Sequence, residues 1–295
     1  MHPDLTQRRR TVLVAPGSDE RKARKALASP ADEVVLDLED AVAPAGKDRA
    51  RELVRDLVRN TARTEGLVSI RVNGLTTPWA QDDLAACAEL SALASIVLPK
   101  TESAHDVIAA DRALGGTGIG VQALVETPLG MRNIDAIATA GSRLAAVIIG
   151  YADLGGALGR ARSARPEHWL AVQDRVLIAA RAAGIAAIDG PHLGIAADEQ
   201  FRQACEWTST LGFDGKWVIH PAQLEITMHA FTPDESAVRE AERVLAALDE
   251  SRVRGNGATQ LDGQMLDEAV AVAARRVLSR AGEIRGARTA TFEEK

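Results

Sequence analysis

A chain of 295 residues that is 46% hydrophobic but only 3% aromatic can bury a sizeable core, which Ala, Val, Leu and Ile must fill. Its formal charge of −6 and isoelectric point near 5.6 argue against a nucleic-acid partner, which calls for a basic surface. Nothing approaches the ~18 apolar residues of a membrane span, no apolar run follows the charged start as a secretion signal needs, and Cys87 and Cys205 suggest neither a disulfide framework nor a zinc site; the expectation is a cytoplasmic globular protein.

Short β-rich runs alternate with helical patterns. Strands are expected at Thr11–Val14, Glu33–Asp37, Leu67–Val72, Ser95–Leu98, Gly120–Val125, Ala145–Ile149, Ala186–Ile188 and Trp217–Ile219. Most are continuous apolar runs, as parallel strands buried on both faces require. Between them, Asp48–Asn60 carries Ala50, Leu53, Leu57 and Val58 on one stripe, and Asp82–Leu93, His105–Leu114 and Trp169–Ala183 also pattern as helices. Pro and Gly cluster after strands, in PGS, VNG, LPK, DGP and IHP, where turns are needed. Eight such units predict an α/β fold of the TIM (β/α)8 barrel class over residues 1–231, with a doubly wound open sheet as the alternative. From Thr232 the pattern changes to one long helix over Pro233–Val253, a Gly-rich strandless stretch over Arg254–Gly263, and a helix over Asp267–Ala281 that frays after Glu283. Residues 232–295 are thus read as a helical C-terminal extension. The start of the chain is locally basic, with Arg8, Arg9 and Arg10 followed by Arg21, Lys22, Arg24 and Lys25. A solvated terminus and helix face, or an anion site near the barrel mouth, are the two readings.

Active sites of such barrels lie at the C-terminal ends of the strands. Those ends carry Asp37, Glu39 and Asp40, then Arg71, Lys100, Glu126, Asp153 in the loop after strand six, Asp189-Gly190-Pro191, and His220. Any one of them could cap a helix or pair with a neighbour, but a ring of them aimed at a common axis calls for a ligand or metal. Glu126 and Asp153 are the expected metal ligands. Hard carboxylates without nearby Cys or His pairs favour Mg²⁺ or Mn²⁺ over zinc and leave positions for water and a chelating α-keto or α-hydroxy acid. Arg71 suits the charge of a developing enolate or alkoxide. Asp37, Glu39 and Asp40 suit metal-bound waters, with helix capping by Asp40 as the alternative. His220 before a proline reads first as a structural hydrogen-bonder, and Lys100 as a partner of carboxylates ahead of a Schiff base. Gly115–Gly120 precedes a strand instead of opening a helix, so it is no dinucleotide fingerprint.

The segments VLDLEDAVAPAGKDRAR (35–51), IRVNGLTTPW (70–79), IVLPK (96–100), ALVETPLG (123–130), GYADLGGALG (150–159), IDGPH (188–192), LGFDGKWVIHPAQ (211–223), FTPDESAV (231–238) and GQMLD (263–267) carry a family likeness in one consistent order. The chain resembles the citrate lyase β-subunit-like and L-malyl-CoA/β-methylmalyl-CoA lyase family of CoA-ester lyases, within the HpcH/HpaI aldolase superfamily. The resemblance implies Glu126 and Asp153 as Mg²⁺ ligands and Arg71 as the residue stabilising the enolate, with Glu126, Gly190 and Pro191 beside it at the substrate. It also implies that Asp267 is delivered into a neighbouring subunit's site as general acid/base, in a homotrimer or hexamer. Val14 and Asp19 stand where malyl-CoA lyases often have Phe and Arg, and the loop through Arg160–His168 is shorter. Arg21, Arg24 or Lys25 would then contact the CoA phosphates. The expected activity is Mg²⁺-dependent cleavage or formation of a malyl-CoA-like 3-hydroxyacyl-CoA, giving an acyl-CoA plus glyoxylate or a similar α-keto acid. The rivals are a CoA-independent class II aldolase, a malate-synthase or thioesterase-like variant, and a non-catalytic binding subunit, the last disfavoured by intact Arg71, Glu126, Asp153 and Asp267.

Overall fold

Eight parallel strands pair in sequence order and close into a barrel: β1 (Thr11–Pro16), β2 (Glu33–Asp37), β3 (Leu67–Arg71), β4 (Ser95–Leu98), β5 (Gly120–Val125), β6 (Leu144–Ile149), β7 (Ala186–Asp189) and β8 (Gly215–Val218). Residue Thr11 of β1 pairs with Lys216 of β8, so the sheet has no edge and the open-sheet alternative is excluded. The computed structural model describes residues 8–60, 66–161 and 163–293, with side chains as far as residue 282. Among the described residues the helices that follow the strands are α1 (Glu20–Leu27), α2 (Lys47–Asn60), α3 (Ala80–Ala88), α4 (Ala104–Leu114), α5 (Pro128–Arg132), α6 (Ile134–Ala138), α7 (Tyr151–Ala157), α8 (Leu170–Ala183), α9 (Glu199–Leu211) and α10 (Leu224–Ala230). Short polar side chains start several of them, Asp19 accepting from Lys22 N and Asp198 from Phe201 N, which satisfies amide groups that a helix start leaves unpaired.

Strand residues alternate between lumen and helices, and the lumen is layered accordingly. Its middle is apolar: Val12, Val35, Val97, Leu124, Ala146, Ile148, Ile188 and Trp217 form one buried cluster. Two residues earlier on β2, β4 and β5 lies a polar foot, which Ser69 of β3 joins. There Glu33 accepts hydrogen bonds from Ser69 and from Gln122 Nε2 at 2.6 Å, and Arg9 Nε lies 2.9 Å from Glu33 Oε2. Arg8 and Arg10 bind Asp32 beside it, at 2.9 and 2.8 Å. The arginine run is therefore neither a solvated terminus nor an anion site at the mouth. It closes the opposite end of the barrel, where buried carboxylates need partners. The outward phase (Val34, Leu36, Ile70, Ile96, Leu98, Val147 and Ile149 among others) joins the helices in a second core.

Asp189 belongs to that outward phase, which corrects its placement in the rim ring. It pairs with Lys216, its register partner on β8, and both side chains are almost wholly buried. Asp189 also accepts from Tyr151 Oη at 2.6 Å, Gln173 Nε2 donates to that oxygen at 2.8 Å, and Trp207 Nε1 donates to Gln173 at 3.0 Å.

Residues 232–295 form the second compact unit. Here α11 (Glu235–Val253) and α12 (Glu268–Glu293) pack together through Ala241, Val244, Leu248, Ala271 and Ala274. The stretch expected to be strandless carries β9 (Thr259–Leu261) and the turn of an antiparallel hairpin, through Asp262 and Gly263, both with positive φ, whose second strand β10 (Gln264–Leu266) follows it. The helix expected to fray after Glu283 continues to Glu293. Among the described residues no helix is long and apolar enough to cross a membrane.

Removing one charge of a buried pair strands the other. Asp189→Asn should lower stability by about 3–5 kcal/mol in urea unfolding, because it leaves the buried Lys216 without its counter-ion. Adding Lys216→Met to it should recover much of the loss.

Candidate active site

Two residues beyond the apolar layer, the same alternation lifts Asp37 and Glu126 to the C-terminal rim, and on β3 Arg71 follows two residues after Ser69. Arg71 is held as a fork. Its Nε and Nη2 each lie 2.7 Å from one oxygen of Asp37, its Nη1 lies 2.8 Å from Glu39 Oε2, and its guanidinium sits 5.7 Å from the centre of the Trp217 ring. Burial alone would weaken its charge, but hydrogen bonding and attraction to Asp37, then Glu39, overcome this and raise its pKa. A bidentate carboxylate fixes a guanidinium's direction as well as its charge.

Asp37 does a second job. Its oxygens accept from Glu39 N at 2.9 Å and Ala41 N at 3.1 Å, shaping the turn that presents Glu39. Asp40, for which helix capping is the alternative reading, caps no helix and stands exposed with its carboxylate 3.9 Å from Lys100 Nζ. Burial pushes the Glu39 carboxyl above the usual range against the pull of Arg71.

Glu126 is buried, and it packs where only glycine leaves room: a Cβ on Gly150 would lie 2.5 Å from its Oε2. Burial, reinforced by Glu39, pushes its carboxyl up to about 7 despite Lys100 and Arg71. Asp153, in the first turn of α7, is more exposed. Lys100 connects the two. Its backbone has a φ of 50° and donates to Glu126 Oε1 at 2.9 Å. Its Nζ lies 2.5 Å from Glu39 Oε1, 3.1 Å from Asp153 and 3.8 Å from Glu126. These partners, Glu39 foremost, outweigh burial and raise the ammonium's pKa. A cavity of about 600 Å³ opens beside it, lined by Glu39, Asp40, Asn73, Trp79, Lys100 and Thr127 among others.

The remaining expected residues lie around this centre or away from it. Gly190 follows β7, and a Cβ there would press on the Ile149 carbonyl and come within 2.8 Å of the Tyr151 ring; Pro191 is half-buried after it. His220 Nδ1 accepts from Ala222 N at 3.2 Å, capping the turn after β8. Arg21, Arg24 and Lys25 are exposed on α1, with Arg24 Nε 2.9 Å from Glu20, and Asp19 serves as the cap of that helix. Asp267, in the second unit, accepts from Ala269 N at 2.9 Å and Val270 N at 3.3 Å at the start of α12. Sequence reasoning missed Trp217 beneath Arg71 and Gly150 against Glu126. The signal was present in both, since each stands in the inward phase of its strand.

The HpcH/HpaI aldolase/citrate lyase family model matches residues 10–221, the barrel from its first strand to the turn after its last. The chain belongs to that family. A (3S)-malyl-CoA thioesterase of Cereibacter sphaeroides is 38% identical over 278 residues, 93% of this chain and 95% of the relative. An L-malyl-CoA/beta-methylmalyl-CoA lyase of the same species is 34% identical, covering 88% of this chain and 90% of the relative. The crystal structure of CitE from Mycobacterium tuberculosis in complex with magnesium, acetoacetate and coenzyme A superposes with a TM-score of 0.78 and 33% identity, over 94% of this chain and 99% of that one.

The donor set of this family member fits a hard divalent ion. Among the described residues no three Asp, Glu, His or Cys side chains form a cage. Mg²⁺ does not need one, since it binds through one or two carboxylates and keeps water and substrate oxygens. Glu126 and Asp153 already share one cationic neighbour in Lys100.

The raised pKa of Glu126 has a consequence for the metal-free protein. The folded state holds this proton more tightly than the unfolded state, whose carboxyl titrates near 4.5, so stability falls as pH rises from 4.5 to about 7. Glu126→Gln keeps the volume and the acceptor for Lys100 N. In EDTA it should melt above wild type at about pH 8 and lose the slope in that window; a lower melting temperature there would refute the assignment.

Proposed function

We propose that this protein is an Mg²⁺-dependent carbon–carbon lyase, with Mn²⁺ an alternative ion. It would act on a malyl-CoA-like 3-hydroxyacyl thioester, releasing or condensing an acyl-CoA and glyoxylate or a similar α-keto acid. The observation that carries the reading is the pairing of Glu126 and Asp153 around one cationic position, with Arg71 locked 2.8 Å from Glu39 on the same rim. The magnesium and coenzyme A of the CitE complex and the names of the malyl-CoA relatives support it.

Glu126 and Asp153 would hold the metal, which when bound supplies Lewis-acid polarisation of an α-keto acid carbonyl. Arg71, unable to rotate away from Asp37, offers its fixed positive charge to the enolate oxygen that develops on the thioester. The apolar layer beneath, capped by Trp217, keeps water from that carbanion. Gly190 and Pro191 border the substrate, and Arg21, Arg24 and Lys25 offer exposed cations to CoA phosphates. Asp267, reaching from a neighbouring subunit, would remove the thioester α-proton in condensation and return it in cleavage.

A thioesterase is the second reading, favoured by the 38% identity to the malyl-CoA thioesterase against 34% to the lyase. Incubating the protein with malyl-CoA-like thioesters separates them: the lyase gives glyoxylate and acyl-CoA, whereas the thioesterase gives free CoA thiol and an intact hydroxy acid. No consumption of any thioester, with turnover of a free hydroxy-keto acid, would point to a CoA-independent aldolase.

Glu126→Gln and Asp153→Asn should each abolish turnover while melting cooperatively; either retaining wild-type rates in EDTA refutes the metal assignment. Arg71→Ala should lower kcat by about 10²–10³-fold. Mixed oligomers of Arg71→Ala and Asp267→Asn subunits should regain activity, since some sites would combine an intact Arg71 with a neighbour's intact Asp267. No rescue in verified mixtures would refute the contribution from a second subunit.

A further inference from the structure

Five carboxylates gather at the rim (Asp37, Glu39, Asp40, Glu126 and Asp153), and the cations facing them divide the work. Arg71 is committed to Asp37 and Glu39. Lys47 Nζ is committed to the carbonyls of Leu38 and Glu39, each at 2.7 Å. Lys100 alone of the three contacts the carboxylates of Glu126 and Asp153 together, at 3.8 and 3.1 Å. It is also the most mobile by chemistry, a point charge on a flexible stem whose side chain is 44% exposed.

An ion ligated by Glu126 and Asp153 draws on the oxygens that this ammonium neutralises. Two cations cannot both keep those contacts, because like charges a few Å apart repel strongly in a partly buried site. Lys100 has somewhere to go. Glu39 Oε1 holds it at 2.5 Å, Asp40 stands 3.9 Å away, and the cavity beside them gives the stem room. Its backbone can stay in place while the side chain moves, still donating to Glu126 Oε1 at 2.9 Å.

We propose that Lys100 is a built-in competitor of the metal: its ammonium balances Glu126 and Asp153 before the ion arrives and yields them to it, setting the affinity of the site. The proposal rests on the reading that these two residues are the ligands. It makes Lys100 a positioning residue acting through the metal site, by its charge, and distinct from a Schiff-base nucleophile.

The test is isothermal titration of the full-length protein with Mg²⁺ alone, for wild type, Lys100→Met, Lys100→Arg and Glu126→Gln. Lys100→Met keeps the stem and the backbone amide but removes the competitor. It should bind Mg²⁺ about tenfold more tightly than wild type, melt lower without metal, and gain more on adding it. Lys100→Arg keeps the charge and should stay near wild type. Unchanged or weaker binding by Lys100→Met overturns the proposal, as does equal tightening by Lys100→Arg, which would make lost packing the cause. If Glu126→Gln abolishes binding while Lys100→Met leaves it unchanged, the proposal alone fails. If Glu126→Gln binds like wild type, the ligand assignment fails and the proposal falls with it.

Discussion

In a closed parallel barrel each strand residue faces either the lumen or the helices, and its neighbour takes the opposite side. Everything at the rim of this protein follows from that rule. On β2 the inward residues are Glu33, Val35 and Asp37, and from β5 onward they are Gln122, Leu124 and Glu126: polar foot, apolar middle, charged top. Moving either strand by one residue would turn Asp37 or Glu126 into the aliphatic outer core and bring Leu36 or Val125 to the rim.

That geometry concentrates negative charge in a water-poor setting, and the structure answers it with cations of graded freedom. Arg71 is clamped by two carboxylates over an indole. Lys47 is anchored to backbone carbonyls. Lys100, its side chain 44% exposed, reaches Glu39 and Asp153 on a flexible stem. The proposed reaction, which would both admit a divalent ion and fix an enolate, calls for cations of both kinds. A guanidinium in a bidentate clamp suits the second task and an ammonium on a long stem suits the first.

Much of this was legible in the sequence. The eight strands, the closed barrel, and the positions of Arg71, Glu126 and Asp153 at strand ends follow from apolar runs bounded by Gly and Pro. The failures have a common physical origin. Strands buried on both faces show no alternation in hydropathy, so the phase of Asp189 is hidden although the charge itself is visible. Its match to Lys216 on the next strand was the available clue. The arginines at 8–10 were misplaced because composition gives charge without saying which end of a barrel carries it, and Asp32 and Glu33, at the start of β2, were the partners to notice. The β9–β10 hairpin escaped because each strand is three residues long and its turn uses Asp262 in a left-handed conformation that composition does not specify.

The foot of the barrel carries a further implication. With Arg9 and Glu33 locked together below the packed apolar layer, the described residues leave a ligand no approach from the foot, so it would reach the site from the rim. Whatever enters by the rim must leave by it, and the ligand seated deeper cannot depart before the one above. For the proposed reaction, a small acid held at Glu126 and Asp153 beneath a much larger thioester would go in first and come out last, with the larger partner acting as the stopper.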